Sequence, residues 1–309
     1  MNCFVTGGSG FIGSHLCEEL SQEHKVVTLV RDLFPTDTLW GKWLSKALNR
    51  TTIVLGDILN LKTLNRIVAD YEINTVIHCA AQAIVSTAQK DPVSTFQINV
   101  EGTVNLLEAC RQLDVPTIYV QSTDKVYGNR MDAEESHPLV STGIYETSKA
   151  LEDLAAQAYA ETYGLNVIIG RACNTFGFDM AKRIISNTIR SCIKGKPPII
   201  YQGEETLRQY IYVTDLISAI LHLTDTPKEK GKASIFNIGT DDVLTQEEVV
   251  QRICRYFPLT PRLVKREEPL KEISRQSLNW TRLRETGWKP QYTFEDGIKL
   301  TIENFQKYG

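Results

Sequence analysis

The sequence reads Gly7-Gly8-Ser9-Gly10-Phe11-Ile12-Gly13 directly after a short apolar run at residues 3–6. Glycine permits a tight turn and lets backbone N–H groups approach a pyrophosphate, whose negative charge the N-terminus of a following helix stabilises. The glycines at positions 7, 10 and 13 therefore predict a strand, a phosphate-binding turn and a helix. We expect Gly7, Gly10, Phe11, Ile12 and Gly13 to lie against a dinucleotide.

Short apolar runs rich in β-branched residues alternate with amphipathic stretches through the first half of the chain. The stretches predict helices, and the runs predict strands at residues 3–6, 25–30, 52–55, 75–79, 117–121 and 166–170. Uninterrupted apolar segments such as Val167-Ile168-Ile169 are typical of strands that are buried on both faces. The pattern predicts an α/β protein in which residues 1–172 form a Rossmann-type, doubly wound parallel sheet.

The alternation of short apolar runs with amphipathic stretches ends after Arg171. Residues 173–309 contain a predicted helix around 181–194 and several proline turns, and we expect them to form a smaller C-terminal substrate-binding lobe. Residues 206–240, which include the apolar helix after Asp215 and a strand at 234–238, are expected to rejoin the main sheet. The lobe is therefore predicted to be discontinuous.

Composition excludes several classes of protein. A chain of 309 residues with 42% hydrophobic residues can bury a large core. Its net charge of -3 gives no basic surface for nucleic acid, and no stretch approaches the roughly 18 apolar residues of a membrane span. The N-terminus lacks the basic start and longer apolar core of a signal peptide. We expect a cytoplasmic protein with a small-molecule substrate.

The cysteines and histidines indicate neither disulfides nor a metal site. The seven cysteines are scattered and contain no C-x-x-C pair, so we expect buried thiols in a reducing compartment. The five histidines lack metal-ligand spacing, and a lone one such as His78 is expected to be a satisfied core residue.

Residues at the ends of the next strands predict the rest of the dinucleotide site. Asp32 stands where an acid hydrogen-bonds the adenosine ribose hydroxyls of NAD, while the adjacent Arg31 is suited to the ribose phosphate of NADP. We expect NAD and leave NADP open. Asp57-Ile58 is expected to flank adenine, and Ala80-Ala81-Gln82 follows the fourth strand, where such sheets hold their ligands.

A possible catalytic pair opens a predicted helix at Tyr145-Glu146-Thr147-Ser148-Lys149. One-turn spacing places the Tyr145 hydroxyl and the Lys149 ammonium on the same face. A nearby ammonium favours phenolate, so we expect the pKa of Tyr145 to be lowered and its hydroxyl to act as a general base, with Lys149 also at the cofactor. Thr123, at the end of the fifth strand, is expected to hold a substrate oxygen.

Together these motifs resemble the extended short-chain dehydrogenase/reductase family, in its NAD-dependent epimerase/dehydratase group. T-G-x-x-G-F-I-G, the threonine and Y-x-x-x-K occur in the family's order, and the resemblance spans nearly the whole chain. Residues 171–177 and 208–215 resemble turns that bind nucleotide sugars in relatives, with Phe176 and Gln209 departing from the usual Tyr and Asp. The resemblance implies a nucleotide-sugar substrate, which would be bound by Asn174, Arg183, Arg208 and Arg275.

The two residues after Thr123 resemble those of one reaction type within the family. Asp124-Lys125 is similar to the acid and base of nucleotide-hexose 4,6-dehydratases, in the form carried by CDP-glucose enzymes rather than the Asp-Glu form of dTDP-glucose enzymes. The resemblance implies an internal NAD redox cycle in which Asp124 protonates the leaving hydroxyl and Lys125 either takes the C5 proton or stabilises the enolate. The alternatives are a surface Asp124–Lys125 ion pair, a nucleotide-sugar 4-epimerase, and a non-catalytic dinucleotide-binding regulator.

Two further features follow from the resemblance. The helices at residues 102–112 and 148–163 form a homodimer contact in relatives, although their apolar stripes fit ordinary core packing equally well. Asn99 resembles a helix asparagine of the family, and could equally serve only to repair the hydrogen bonding of its own helix.

Overall fold

The computed structural model describes the chain except residues 33, 141–142, 203–205, 227–230, 266–272 and 309, and at 201–202 it describes the backbone alone. The strands within the described part are β1 (Asn2–Thr6), β2 (Lys25–Val30), β3 (Thr52–Leu55), β4 (Thr75–His78), β5 (Thr117–Thr123), β6 (Val167–Ala172), β7 (Asn174–Phe176), β8 (Ile199–Gln202), β9 (Leu207–Tyr212), β10 (Ser234–Ile238), β11 (Val243–Thr245), β12 (Arg262–Lys265) and β13 (Arg275–Gln276).

Helices connect these strands. They are α1 (Phe11–Leu20), α2 (Leu39–Ala47), α3 (Leu61–Asp70), α4 (Val85–Lys90), α5 (Pro92–Phe96), α6 (Gly102–Gln112), α7 (Ile144–Tyr163), α8 (Ile184–Ile193), α9 (Val213–Asp225), α10 (Gln246–Cys254), α11 (Thr281–Glu285) and α12 (Phe294–Tyr308). A π-helical turn at Gln97–Glu101 leads into α6, and a 3-10 turn at Asp124–Tyr127 follows β5. Across the described residues, no helix has both the length and the apolar character that crossing a bilayer demands.

The main sheet has seven parallel strands in the order β10-β6-β5-β4-β1-β2-β3. The predicted α/β class and doubly wound parallel sheet are confirmed. The strand order reverses between β1 and β4, and ligands of such sheets bind outside the carboxyl ends of the strands at this point. The glycine turn after β1 and the loop after β4 therefore share one crevice.

Side chains of the central strands alternate between two buried clusters, one on each face of the sheet. On β1, Val5 enters the cluster covered by α1, α2 and α9, whereas Phe4 enters the cluster covered by α3, α6 and α7. On β6, Ile168 takes the first side and its neighbour Ile169 the second. This two-residue period explains why the strands read as unbroken apolar runs.

The second half of the chain differs from the expectation that residues 206–240 as a whole rejoin the main sheet. β10 does so, pairing with β6 at the sheet edge. β9 instead pairs with β7, β11 and β13 in a separate four-stranded sheet. Pairing on both of its edges leaves β9 no edge for the main sheet. It supports the carboxyl end of that sheet through β7, which begins two residues after β6.

Candidate functional site

The glycine turn packs tightly against the end of β4. Gly7 has a φ of +74°, which residues with a Cβ rarely adopt, and a Cβ at this position would lie 2.8 Å from the Ala80 backbone nitrogen. A Cβ on Gly13 would overlap the carbonyl oxygen of Gly7. α1 begins after Gly10 without a side-chain cap, so no side chain competes for its first N–H groups. The turn therefore fits the pyrophosphate of a dinucleotide.

Arg31 and Asp32, which follow β2, interact with each other at the surface. The Arg31 Nε donates to the Asp32 Oδ2 at 2.8 Å, and both side chains are mostly exposed. Asp57 accepts the backbone N–H of Leu59 through Oδ1, which stabilises the turn after β3. Ile58 is buried against Gly102. Three of these predicted cofactor residues thus remain at the crevice edge, whereas the Ile58 side chain belongs to the core.

His78 is held by hydrogen bonds that fix a neutral ring. Thr103 donates its hydroxyl to the Asn99 carbonyl oxygen at 2.6 Å, so its oxygen accepts from the His78 Nε2 at 2.9 Å. The His78 Nδ1 then accepts the Thr6 hydroxyl at 2.7 Å, and burial lowers the pKa of His78 to about 3. The predicted core role of His78 agrees with this arrangement. Thr6 also accepts the backbone N–H of Ala80, which couples the ends of β1 and β4.

Asn99 joins the loop after β4 to α7. Its Nδ2 donates to the Gln82 carbonyl oxygen at 3.2 Å and to the Ser148 hydroxyl at 2.8 Å, and its Oδ1 accepts the Gln82 N–H at 2.7 Å. The side chain lies in the π-helical turn, a conformation frequent at functional sites. Between the two roles left open by the sequence, these contacts describe a residue that positions the site.

Thr123, Asp124, Tyr145 and Asn174 come together at the carboxyl ends of β5 and β6. The Thr123 hydroxyl donates to the Asp124 Oδ1 at 3.0 Å, and the Tyr145 hydroxyl lies within hydrogen-bonding reach of Thr123. The Asn174 Nδ2 donates to the Asp124 Oδ2 at 3.5 Å. Asp124 is only 3% exposed. A buried carboxyl therefore stands beside two hydroxyls that can hydrogen-bond a substrate alcohol.

Lys149 forms a buried ion pair that sequence reasoning missed. Its Nζ donates to the Gln121 carbonyl oxygen at 2.7 Å and to both carboxylate oxygens of Glu152 at 2.6 Å. The Lys149 and Glu152 side chains are 4% and 1% exposed, and burial raises the pKa of Glu152 to about 7 against the opposing effect of Lys149. The three-residue spacing on α7 was the available signal for this pair.

The expected lowering of the Tyr145 pKa is wrong for this arrangement. Burial raises the pKa of Tyr145 above its usual value, the charges of Glu152 and Asp124 raise it further, and Arg183 lowers it in part. The main physical reason is burial of the hydroxyl, and the ammonium of Lys149, which the sequence predicts beside the phenolate, is directed at Glu152 instead.

Lys125 lies on the other side of Asp124, in the 3-10 turn. Its Nζ donates to the Gln276 Oε1 at 3.4 Å, and the Gln276 amide donates to the Gly128 carbonyl oxygen at 3.0 Å. Because the Asp124 carboxylate accepts from Thr123 and Asn174, the alternative of a surface Asp124–Lys125 ion pair does not describe the structure.

The three predicted substrate cations occupy different positions. Arg183 stacks over the Phe11 ring at 5.4 Å and lies near enough to Tyr145 to influence its pKa, so it borders the catalytic groups. Arg208 is buried and donates from Nη1 to the Ser274 carbonyl oxygen at 2.8 Å, with a further bond from Nη2 to the Ile273 carbonyl oxygen. Arg275 is exposed on β13, the strand that pairs with β9.

Metal and disulfide chemistry were not expected from the sequence. In the described part of the chain, no group of three or more His, Cys, Asp or Glu side chains is arranged to hold a metal ion. All seven cysteines are free thiols, of which six are buried and Cys79 is half-buried.

A doubly wound sheet with a glycine-rich phosphate turn and the adjacent hydroxyls of Thr123 and Tyr145 defines a dinucleotide-binding enzyme scaffold. The chain belongs to the NAD dependent epimerase/dehydratase family, whose model matches residues 3–239. It is 31% identical to dTDP-glucose 4,6-dehydratase of Haemophilus influenzae, over 98% of this chain and 97% of that protein.

Solved structures of two activities share the fold. dTDP-glucose 4,6-dehydratase from Bacillus anthracis, in complex with NAD, is 27% identical with a TM-score of 0.86, over 99% of this chain and 97% of that one. UDP-glucose 4-epimerase from Thermus thermophilus, also in complex with NAD, is 28% identical with a TM-score of 0.85, over 99% of each chain. The fold therefore fits both a dehydratase and an epimerase, so only the residues of the site can distinguish the two activities.

Proposed function

We propose that this chain is a nucleotide-diphosphohexose 4,6-dehydratase that forms a 4-keto-6-deoxy sugar. One observation carries the proposal: the buried Asp124 carboxyl is hydrogen-bonded to Thr123, beside the Tyr145 hydroxyl. Loss of water from a sugar needs an acid, because a hydroxide ion is too basic to leave unaided. The 31% identity to a dTDP-glucose 4,6-dehydratase over the whole chain supports the same reaction.

NAD is the proposed cofactor. The Gly7 and Gly13 positions and the uncapped N-terminus of α1 fit its pyrophosphate, and the exposed Asp32 carboxylate can accept hydroxyls of its adenosine ribose. Arg31 beside Asp32 leaves NADP as the alternative. When bound, NAD supplies reversible hydride transfer. Lys149 is proposed to contact the ribose next to the nicotinamide.

In the proposed reaction, different residues of this chain carry out the separate proton transfers. Thr123 holds the C4 oxygen of the sugar while Tyr145, in its phenolate form, removes the C4 hydroxyl proton. Loss of the C4 hydride, which bound NAD would accept, completes the oxidation to a ketone that acidifies the proton on C5. Lys125 then takes the C5 proton or stabilises the enolate. Asp124 donates a proton to the departing C6 hydroxyl, and its burial keeps this donor away from bulk water.

The diphosphate is proposed to lie between the main sheet and the smaller lobe, where Arg183 borders the catalytic groups. Asn174 can offer its amide, and Arg275 can offer a cation from the edge of the second sheet. Arg208 is bound to backbone carbonyl oxygens, so its role includes fixing the segment that leads to Arg275.

An isotope experiment tests the reaction. Substrate carrying deuterium at C4 is expected to yield product with that deuterium at C6 and without added NADH, because the same cofactor takes and returns the hydride. Screening CDP-, dTDP-, UDP- and GDP-glucose by mass spectrometry identifies the substrate, since dehydration removes one water. Deuterium retained at C4 or lost to solvent would rule out the dehydratase.

Two variants separate the roles of Asp124 and Lys125. Asp124→Asn is expected to keep C4 oxidation and exchange of the C5 proton while loss of water slows sharply. Lys125→Met is expected to block exchange of the C5 proton if Lys125 is the base, and to leave it measurable if Lys125 only stabilises the enolate. If both variants change the Michaelis constant alone, the pair only binds substrate.

A nucleotide-sugar 4-epimerase is the second candidate. It is favoured by the likeness to the Thermus thermophilus epimerase and by Lys125, whose ammonium contacts Gln276 rather than Asp124. An epimerase needs Thr123, Tyr145 and Lys149, but neither an acid nor a base after Thr123. Its product would have the mass of the substrate, so the same mass measurement distinguishes the two reactions.

We also propose that the chain is a cytoplasmic homodimer. Leu151 and Leu154 are exposed on α7, which packs on α6 within the chain, and a second copy could cover both leucines. The seven free thiols suit a reducing compartment. Sedimentation equilibrium should show a dimer for the natural chain and a monomer for Leu154→Glu, whereas a natural monomer would contradict the proposal.

A further inference from the structure

We propose that binding of the dinucleotide by this chain takes up one proton from solvent onto Glu152, because Lys149 must release contacts with that carboxylate to reach the cofactor. The inference rests on the proposed function, which assigns Lys149 to the cofactor. It makes Glu152 a residue that acts through Lys149 rather than one that touches the reacting atoms.

The donors of Lys149 are already engaged. A lysine ammonium has three N–H groups. The Nζ of Lys149 has three acceptors within 2.7 Å, namely the Gln121 carbonyl oxygen and the two carboxylate oxygens of Glu152. A hydrogen bond from Lys149 to a ribose hydroxyl must therefore replace at least one of these three. In the proposed complex Lys149 keeps the Gln121 carbonyl oxygen and turns away from both carboxylate oxygens of Glu152.

Glu152 depends on Lys149 for its charge. Its side chain is 1% exposed, so water cannot solvate the carboxylate. When an ionised carboxyl inside a protein loses its paired cation, the unfavourable free energy of desolvating the carboxylate is no longer offset. Protonation removes this cost: one carboxylate oxygen forms an O–H bond with a proton from solvent, while Lys149 keeps its three N–H bonds and its charge.

The other groups around Glu152 do not replace the lysine. Asp153, its neighbour on α7, raises the pKa of Glu152 and is itself bound to Arg171. From the end of β4 the Cys79 thiol faces the pair, and from the start of α7 the Tyr145 hydroxyl does so. β5 presents the Gln121 carbonyl oxygen. Lys149 is the cation that contacts Glu152 among the described groups.

The direction of the pH dependence follows from the Glu152 pKa. With Lys149 in contact, burial places the pKa of Glu152 at about 7, and release of Lys149 raises it further. Below this pH the carboxyl is already protonated and binding takes up no proton. As pH rises through about 7, uptake approaches one proton and affinity falls about tenfold per pH unit, until the pH reaches the pKa of the bound form. The stability of the complex is thus greatest on the acid side.

Calorimetric titration of the purified chain with NAD tests this linkage. Repeating the titration at about pH 8 in phosphate and in Tris, whose ionisation enthalpies differ, gives the number of protons taken up, expected to approach one. Dissociation constants across the range about pH 6–9 give the slope independently. In Glu152→Gln, which keeps the shape and one acceptor oxygen, both the uptake and the slope should disappear.

A matched control makes the same chemical change elsewhere on α7. Glu161 is exposed near the end of that helix, so Glu161→Gln should retain the proton uptake and the slope of the natural chain. If Glu152→Gln does not fold, infrared difference spectra of the natural chain decide the matter. Adding NAD at about pH 8 should then increase the band of a protonated carboxylic acid.

Each result separates the inference from the proposed cofactor. NAD that binds without proton uptake, or with uptake that persists in Glu152→Gln, overturns the role of Glu152 and leaves the cofactor assignment intact. Failure of NAD and NADP to bind the folded chain at any pH overturns the cofactor assignment and the inference together.

Discussion

The ion pair between Asp153 and Arg171 provides a quantitative test of how the catalytic helix is held. Asp153 lies on α7, is fully buried and accepts four hydrogen bonds, from Ser122 at 2.8 Å, from Gln157 at 2.7 Å and from the Nε and Nη2 of Arg171 at 2.9 Å each. Asp153→Asn preserves the shape but removes the charge and directs an amide N–H group at donors. Removing one partner of a buried pair typically costs about 3–5 kcal/mol, and we expect this loss in the free energy of unfolding.

Urea denaturation followed by circular dichroism measures the loss, and a partly exposed pair supplies the control. Glu108 pairs with Arg111 on α6 with side chains 23% and 37% exposed, so Glu108→Gln should cost at most about 1 kcal/mol. The double variant Asp153→Leu with Arg171→Met should be more stable than Asp153→Asn, because it leaves no unpaired buried charge. Equal stability of Asp153→Asn and Glu108→Gln would show that the buried pair contributes no more than the partly exposed one.

Three further predictions address the cofactor and the chemistry. Gly13→Ala should weaken NAD binding, measured by calorimetry, roughly 5- to 150-fold, because its Cβ would overlap the Gly7 carbonyl oxygen and overpacking costs about 1–3 kcal/mol; unchanged affinity would show that the turn can move. Asp32→Ala should weaken NAD binding more than Arg31→Ala does, whereas loss of NADP binding in Arg31→Ala with little effect of Asp32→Ala would identify NADP as the cofactor. Tyr145→Phe should retain nucleotide-sugar affinity and lower turnover by ~10²–10⁴-fold, and a full rate would remove Tyr145 from the mechanism.

The main sheet could be predicted from the sequence because its signal is local. Each central strand must present apolar side chains to both faces, so Val167-Ile168-Ile169 reads as a strand whatever its neighbours are. The Gly7 and Gly13 positions are equally local, since a turn of this shape excludes a Cβ. The pairing of β9 could not be predicted in this way. Its partners β11 and β13 lie far along the chain, and pairing between distant segments produces no periodic pattern in the sequence of either segment.

Side-chain partners within the site were harder to foresee than the residues themselves. Thr123, Tyr145 and Lys149 were identified by type and spacing, and the structure places Thr123 and Tyr145 together. The Tyr145 pKa is raised first by burial of the hydroxyl and then by the charge of Glu152. The sequence indicates neither, because a carboxylate three residues along a helix from Lys149 can equally turn to solvent. The contacts of Asn99 with Gln82 and Ser148 could not be predicted from the sequence, because they depend on how three separate elements are placed relative to one another.

The two consecutive acids on α7 show why a proton is expected on one and not on the other. Asp153 accepts hydrogen bonds from three different side chains, and its cation, Arg171, is anchored on β6 and has no proposed contact with a ligand. The described hydrogen bonds of Glu152 all come from Lys149, a flexible side chain that is also proposed to bind the cofactor. A carboxylate that accepts hydrogen bonds from several fixed side chains stays ionised when one of them leaves. A carboxylate that depends on one lysine becomes protonated when that lysine leaves. Protonation that responds to the ligand is therefore confined to Glu152, and Asp153→Asn should lower stability without changing the number of protons taken up when NAD binds.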